Sequence, residues 1–514
     1  MKKQKTFFQN LVALAALVTL SAACQQQQQE VTYDVFVKNA TVVDGTGEAA
    51  YTAHILLAGD SIALIERDTT ATFSAAKVID ARGLTLTPGF IDTHAHGDPI
   101  KTPEFQNFIA MGITTITLGQ DGFSPEHENL QVWIDSVNQV QPAVNVAPFA
   151  GHNTLRLLSG VGYDTVPAEA NLVAMEKLLA QAMAAGCFGL TTGLEYTPGL
   201  YASSNELNRL AKVVGANNGI IMSHMRNEDD AFVEASIREL LAQGEHCPVH
   251  VSHIKVVYGK GEARAAEILQ LLDSARAKGI DVTADFYPYT ASYTGISILF
   301  PEWAQKPNDY QQVLRTRKNE LRTFLKEKIT KRNGPEATLI GSGPYKGKTL
   351  ARIAQELNKP YQDVLMEDIG PYGASGAYFI MDEALQEAFL KDPYIMVCTD
   401  GSPSMHHPRS FGTHAKVIQT YVLTKKLMPL EQAIWKMTGL PAQTIGIPKR
   451  GLIRQGYKAD ILLFKPSEIK EEATYEEPRQ LATGFRYVLV NGKVAKEGES
   501  FTEERAGKVL MKGI

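Results

Sequence analysis

The chain has 514 residues, 44% of them hydrophobic and 21% charged, a balance typical of a globular protein long enough for more than one domain. Its formal net charge of −5 and lack of any polybasic stretch argue against a nucleic-acid partner. The four cysteines, Cys24, Cys187, Cys247 and Cys398, form no CxxC pair. They therefore predict neither a disulfide framework nor a cysteine-rich zinc site.

The first residues read as an export signal over 1–23: a basic "MKKQK", the apolar core "LVALAALVTL" and the small residues of "SAAC". A spanning helix needs about 20 apolar residues, and this core is shorter. The small residues before Cys24 resemble a bacterial lipobox, although serine stands three positions before the cysteine, where leucine is usual. The expected mature protein starts at a lipidated Cys24 and continues in a polar tether over 24–30. That predicts an exported, membrane-anchored envelope lipoprotein, periplasmic or outer-membrane; plain secretion with cleavage nearby is the alternative.

Residues 31–86 alternate apolar and polar positions in short runs such as "DVFVKNATVVDGTG" and "HILLAGDSIALI", the pattern of half-buried strands. Residues 446–514 do the same in "ADILLF" and "FRYVLVNGKVAKEG", the second carrying an Asn-Gly hairpin signal. The two ends predict one small composite β-sandwich domain. Between them, over 87–445, eight short apolar runs alternate with helical patterns such as "NLVAMEKLLAQAMAAG". This alternation predicts an α/β fold, most simply a TIM-like (β/α)8 barrel. An interval at about 300–380 reads as an insertion near the barrel mouth. Its charged "VLRTRKNELRTFLKEKI" predicts a solvent-facing helix.

Chemistry in such barrels gathers at the C-terminal ends of the strands. The first run ends in His94 and His96, the second in Asp121 and the third in His152. Glu195, His224, His253 and Asp400 end the fourth, fifth, sixth and eighth. Residues i and i+2 of a strand share a face, so His94 and His96 could grip one metal ion. A carboxylate at a strand end can instead cap the next helix. Seven of eight runs ending in a metal-capable residue predict a metal site.

This constellation resembles the amidohydrolase superfamily over nearly the whole chain beyond the signal. The stretches "GHNTLR", "GLEYTPGLYA", "SHMRNE", "DFYPYTA" and "HPRSFGT" are similar to its N-acyl-D-amino-acid deacylase branch. The resemblance implies metal ligands at His94, His96, Glu195, His224 and His253, holding zinc as one or two divalent ions. Glu195 takes the fourth-strand position where many members carry a modified lysine. Asp121 is a further candidate ligand, where characterised members have a metal-binding cysteine. Asp400 is implied as general base. His152 is read either as a helper at the oxyanion or as a histidine bonded to loop backbone. Lys255, Tyr196, Tyr287 and Arg409 are implied to hold the substrate carboxylate or lie beside it, with Tyr293 where the branch has serine. The implied substrate is a small N-acyl-D-amino acid, including dipeptides with a C-terminal D-residue. The alternatives are a cyclic-amide hydrolase of the dihydroorotase or hydantoinase kind, an isoaspartyl-dipeptidase-like enzyme, or a metal-binding lipoprotein without catalysis.

Overall fold

The structure, a computed structural model, describes residues 32–513. The export signal, Cys24 and the tether lie outside the described residues. Eight parallel strands in chain order line the barrel: Phe90–Asp92, Ile113–Leu118, Asn145–Gly151 in two short pieces, Gly189–Gly193, Ile220–His224, Val249–Val251, Val282–Phe286 and Ile395–Val397. The ring closes where the Asp400 N–H donates to the His94 carbonyl and the His96 N–H to that of Gly401, both at 2.8 Å. Helices on the outside bury the apolar stripe predicted by their spacing. In Glu169–Ala184, for instance, Leu172, Met175, Leu179 and Met183 face inward.

The chain ends build a sandwich-like domain whose strands are joined in one nine-stranded sheet. Thr85–Pro88 stitches the two ends together. It pairs parallel with Tyr33–Val42 and antiparallel with Ile461–Phe464. One face of the sheet curls around Val37, Val42, Ile55, Ile461 and Leu489. The residues that alternate with these, including Leu462, Phe464 and Phe485, pack into the barrel core, where Phe485 meets Phe90 edge-on at 5.8 Å. The run "LTPGFIDTH" therefore serves two sheets, with the crossing at Gly89. A Cβ there would lie 2.1 Å from Thr114 Oγ1, so only glycine lets the strands approach this closely.

After the seventh strand, Ala291–Gly295, Thr338–Ile340 and Ser375–Phe379 form a separate antiparallel sheet. The charged segment expected to face solvent divides into two helices, Tyr310–Thr316 and Lys318–Lys331. Leu321, Leu325 and Ile329 of the second are buried with Ile340, Leu350 and Tyr378. The four-residue spacing of these apolar side chains leaves one narrow stripe on an otherwise charged helix. That stripe is enough to bury one face while the rest stays in water.

A buried polar knot ties the β domain to the barrel. Arg450 Nη1 pairs with Asp460 Oδ2, and Arg450 Nη2 donates to Asn491 Oδ1 at 2.7 Å. Asn145 on the third barrel strand donates to Asp460 at 3.3 Å and accepts from Asn491 at 2.8 Å. Removing the Asp460 carboxylate would strand the Arg450 charge in the interior. Asp460→Ala is therefore expected to destabilise the protein by about 3–5 kcal/mol. The effect should appear as a lower thermal unfolding midpoint; an unchanged midpoint would mean the knot bears no stability.

Candidate metal centre and active-site cleft

Three polar residues at the barrel mouth have left-handed backbone: Asp121 at φ 55°, His253 at 36° and Asp400 at 47°. Side-chain-bearing residues rarely adopt this region, and surrounding structure has to hold them there. Two carboxylates beneath the mouth help to do so. Asp285 accepts from the His253 N–H and from Thr93 Oγ1, each at 2.5 Å, and lies 3.0 Å from His250 Nε2. Asp92 accepts from the His94 N–H at 3.1 Å and the Thr399 N–H at 3.0 Å, bracing the first strand against the eighth. Sequence reasoning missed both. Their signal was an acid inside an apolar run, in "GFID" and "VTADF", since a buried acid needs a structural partner.

Above them, Asp121 sits among four imidazoles. Its Oδ1 lies 3.1 Å from His94 Nε2, 3.3 Å from His253 Nε2 and 3.6 Å from His224 Nδ1, and its Oδ2 lies 3.5 Å from His96 Nε2. Asp400 Oδ1 is 3.2 Å from His96 Nε2, and Glu195 Oε2 is 3.1 Å from His224 Nε2. Donor atoms of His94, His96, Asp121 and Asp400 lie within 4.8 Å of one another, as do those of Asp121, His224 and His253. Neither ring nitrogen of the fully buried His94 has a hydrogen-bond partner. A fully buried imidazole with both nitrogens unpartnered, beside three other imidazoles that converge on the same carboxylates, is arranged as a ligand to a common cation. The residues therefore fit one or two divalent ions.

The fields in the centre are strong. Burial would raise the Asp121 carboxyl, but the His94, His253 and His224 imidazoles hold it well below the usual range. For Asp400 the opposing burial is likewise overcome, chiefly by Arg409, whose Nη1 lies 2.9 Å from Oδ2. Burial and the Lys255 charge press His253 down, yet the carboxylates of Asp400, Asp121 and Glu228 push it up to about 10. Glu228, also absent from the sequence reading, meets His253 Nδ1 at 3.3 Å and Lys255 Nζ at 2.6 Å. It follows His224 by four positions in "SHMRNE", on a loop without periodicity to reveal it.

The cleft above the centre holds about 460 Å³. His96, Asp121, Glu195, Tyr196, Asp400, Arg409 and Tyr293 all line it. Tyr196 packs on His224 with the rings tilted and their centroids 4.5 Å apart, and its hydroxyl accepts from Thr294 Oγ1 at 3.2 Å. Tyr293 lies on Ala291–Gly295, whose pairing with Ser375–Phe379 makes the insertion begin earlier than the expected 300; its hydroxyl is 2.5 Å from Ser375 Oγ and its carbonyl accepts from Arg409 Nη2 at 3.2 Å. Three expected residues stand elsewhere. Lys255 is buried behind the histidines, with Nζ 2.7 Å from His253 Nδ1, so its charge is engaged by Glu228 rather than offered to a substrate. Tyr287 is also outside the lining, its ring 4.6 Å beneath the Arg409 guanidinium. His152 is a correction: its Nε2 meets Glu206 Oε1 at 2.7 Å, and Glu206 is gripped by Arg156 at 2.7 Å. This buried trio sits outside the cleft lining and anchors the helix His152–Leu158, which accounts for the histidine without an oxyanion role.

A parallel barrel whose mouth gathers four histidines and three carboxylates belongs to the class of hydrolases built around a metal centre. The amidohydrolase family model matches residues 398–495. The chain is 33% identical over 508 residues to an N-acyl-D-aspartate deacylase of Alcaligenes xylosoxydans xylosoxydans, covering 93% of this chain and 95% of that one. It matches a D-aminoacylase crystal structure at 30% identity with a TM-score of 0.80, over 93% of this chain and all (100%) of that one. An N-acyl-D-glutamate deacylase from Bordetella bronchiseptica, complexed with zinc and a phosphonate inhibitor, matches at 30% identity and a TM-score of 0.80, over 94% of this chain and 100% of that one. The chain therefore belongs to the amidohydrolase family, in its N-acyl-D-amino-acid deacylase branch.

Because Asp121 touches every imidazole of the centre, Asp121→Ala is expected to lower the metal bound per chain by at least half, read by elemental analysis of purified protein. Full retention of metal would remove Asp121 from the ligand set.

Proposed function

We propose that this protein hydrolyses the amide bond of N-acyl-D-amino acids, releasing a D-amino acid and a carboxylate, with zinc or a similar divalent ion at the histidine–carboxylate centre. The observation that carries the reading is the pairing of Asp400 with that centre: Oδ1 is 3.2 Å from His96, and Oδ2 is clamped by Arg409 at 2.9 Å. The near-complete alignment with deacylases of N-acyl-D-amino acids supports the substrate class.

His94, His96, Asp121, His224 and His253, with Glu195 beside His224, would hold the ion. Bound there, it supplies a Lewis acid that polarises a carbonyl and brings the pKa of water to about 7. The remaining work falls to the chain. Arg409 fixes one Asp400 oxygen and keeps the carboxylate ionised, leaving the other to take a proton from the attacking water. Asp400 then returns that proton to the departing nitrogen, without which the amine leaves poorly. Tyr196 closes the cleft wall over His224 and limits the positions a substrate can adopt. Arg409, the only lysine or arginine in the cleft lining among the described residues, is the group best suited to meet the substrate carboxylate.

A chelator should abolish activity, and the purified enzyme should cleave N-acetyl-D-amino acids in preference to their L-enantiomers. Asp400→Asn keeps shape but not basicity, so it should retain metal while losing about two to four decades of kcat. Near-normal turnover in that variant would leave Asp400 a structural role only. Ring opening of dihydroorotate or a hydantoin, without action on linear N-acyl compounds, would overturn the substrate class.

We also propose that the protein is exported and held at a membrane by lipids on Cys24. The support is the signal-like sequence ahead of it. Among the described residues no helix is long and apolar enough to cross a membrane. Cys24→Ser should move the protein from the membrane to the soluble fraction, since acyl chains contribute about 0.8 kcal/mol per buried CH₂. Identical fractionation of the two forms would rule the anchor out.

A further inference from the structure

Resting on the function proposed above, we infer that the preferred D-amino acid carries an uncharged, apolar side chain, so that the substrate bears one carboxylate and no more. The cleft's charges set this limit. Among the described residues, Arg409 is the only lysine or arginine in its lining. Two of its nitrogens are engaged, Nη1 by Asp400 at 2.9 Å and Nη2 by the Tyr293 carbonyl at 3.2 Å. Its Nε is buried and has no partner. The cleft therefore offers an anionic substrate a single cation, already partly engaged. Lys255, buried outside the lining, is closed off between Glu228 and His253 at 2.6 and 2.7 Å. The other ionisable groups in the lining are His96 and the three carboxylates Asp121, Glu195 and Asp400, together with the two tyrosines near its walls and Tyr372 at the rim.

The rest of the lining is uncharged: apolar side chains are mixed with the neutral Gln120, Thr197, Thr294, Ser297, Gln305 and Ser375. Phe123 follows Asp121 on the loop after the second strand and is 47% exposed; Tyr372, from the insertion, is 53% exposed. Ile298 of the insertion and Met405, from the loop leading to Arg409, complete this side. Exposed aromatic rings at a cleft mouth, with half-buried aliphatic side chains in the same lining, gain when an apolar group covers them. A second carboxylate placed against them would lose water and find no cation, an arrangement that rejects the wrong ligand rather than favouring the right one. An acidic side chain, as in the substrates that name the N-acyl-D-aspartate and N-acyl-D-glutamate deacylases above, meets no second cation among the described lining residues.

The test compares kcat/KM of the metal-loaded enzyme on N-acetyl-D-leucine and N-acetyl-D-methionine with that on N-acetyl-D-aspartate and N-acetyl-D-glutamate. The apolar pair should be favoured by more than about tenfold. Ile298→Arg, which adds a cation to the cleft lining, should shift the ratio toward N-acetyl-D-glutamate by about tenfold. Equal rates or a preference for the acidic substrates would overturn this inference alone, as would an unchanged ratio in Ile298→Arg. Absence of turnover on every N-acyl-D-amino acid would overturn it together with the function it rests on.

Discussion

The site depends on one crowded contact: the Asp121 carboxylate among four imidazoles, with 3.1 Å to His94 the shortest of its approaches. Bringing that many ionisable groups out of water is unfavourable unless their charges answer one another. The centre meets the condition in layers. Imidazoles surround Asp121, Arg409 answers Asp400, and Lys255 answers Glu228, whose carboxylate also meets the rear nitrogen of His253. A ligand histidine whose second nitrogen is held by a carboxylate keeps a fixed ring orientation and is a better electron donor. Lys255 pairs with Glu228 at 2.6 Å and also reaches the rear nitrogen of His253 at 2.7 Å, so both side chains fix that ring, which explains why a lysine is buried two residues from His253.

The same contact dictates features of the barrel. Parallel strands aim all their C-terminal ends at one mouth, yet a side chain continuing a strand would point along the wall. The left-handed turns at Asp121, His253 and Asp400 redirect these side chains across the opening. Asp285 holds one of those turns through the His253 N–H, and the His94 carbonyl holds another through the Asp400 N–H. The strand-closing hydrogen bonds of the barrel and the scaffolding of the centre are therefore partly the same bonds. Damage to one is damage to the other, and the site is as rigid as the ring that carries it.

Much of this was legible in the sequence because two signals are local. Apolar β-branched runs marked the strands, and the polar residue just past each run marked the mouth. His94, His96, Asp121, Glu195, His224, His253 and Asp400 all came from that reading and all meet in the structure. His152 obeyed the same rule and yet faces Glu206, because position at a strand end fixes where a residue sits and leaves its side-chain direction open. Lys255 shows the converse: two residues after His253 it does share that histidine's side, but its charge is taken by Glu228. Glu228, Asp92 and Asp285 were invisible because their roles depend on partners distant in sequence, such as the 307 positions between Asp92 and Thr399. The sheet shared by both chain ends was readable as composition, while its continuity through Thr85–Pro88 depends on pairing that no local pattern reveals.

The insertion divides labour with the barrel. It supplies none of the imidazoles or carboxylates of the centre, but Tyr293, Thr294, Ile298 and Ser375 line the cleft from its side. It has its own core around Leu321, Leu325 and Ile340, so its fold does not rely on the metal ligands. Its links to the chemical side include the Tyr293 carbonyl to Arg409, the Ala291 carbonyl to His407 and Thr294 to the Tyr196 hydroxyl. Substitutions on its cleft face can therefore alter which side chain is admitted while the charges around Asp121 and Asp400 remain balanced. The phenol of Tyr293 illustrates the point. Its hydroxyl is turned to Ser375 within the insertion and its backbone carbonyl to Arg409, so a bulky residue narrows the cleft without breaking the contact that holds the arginine against Asp400.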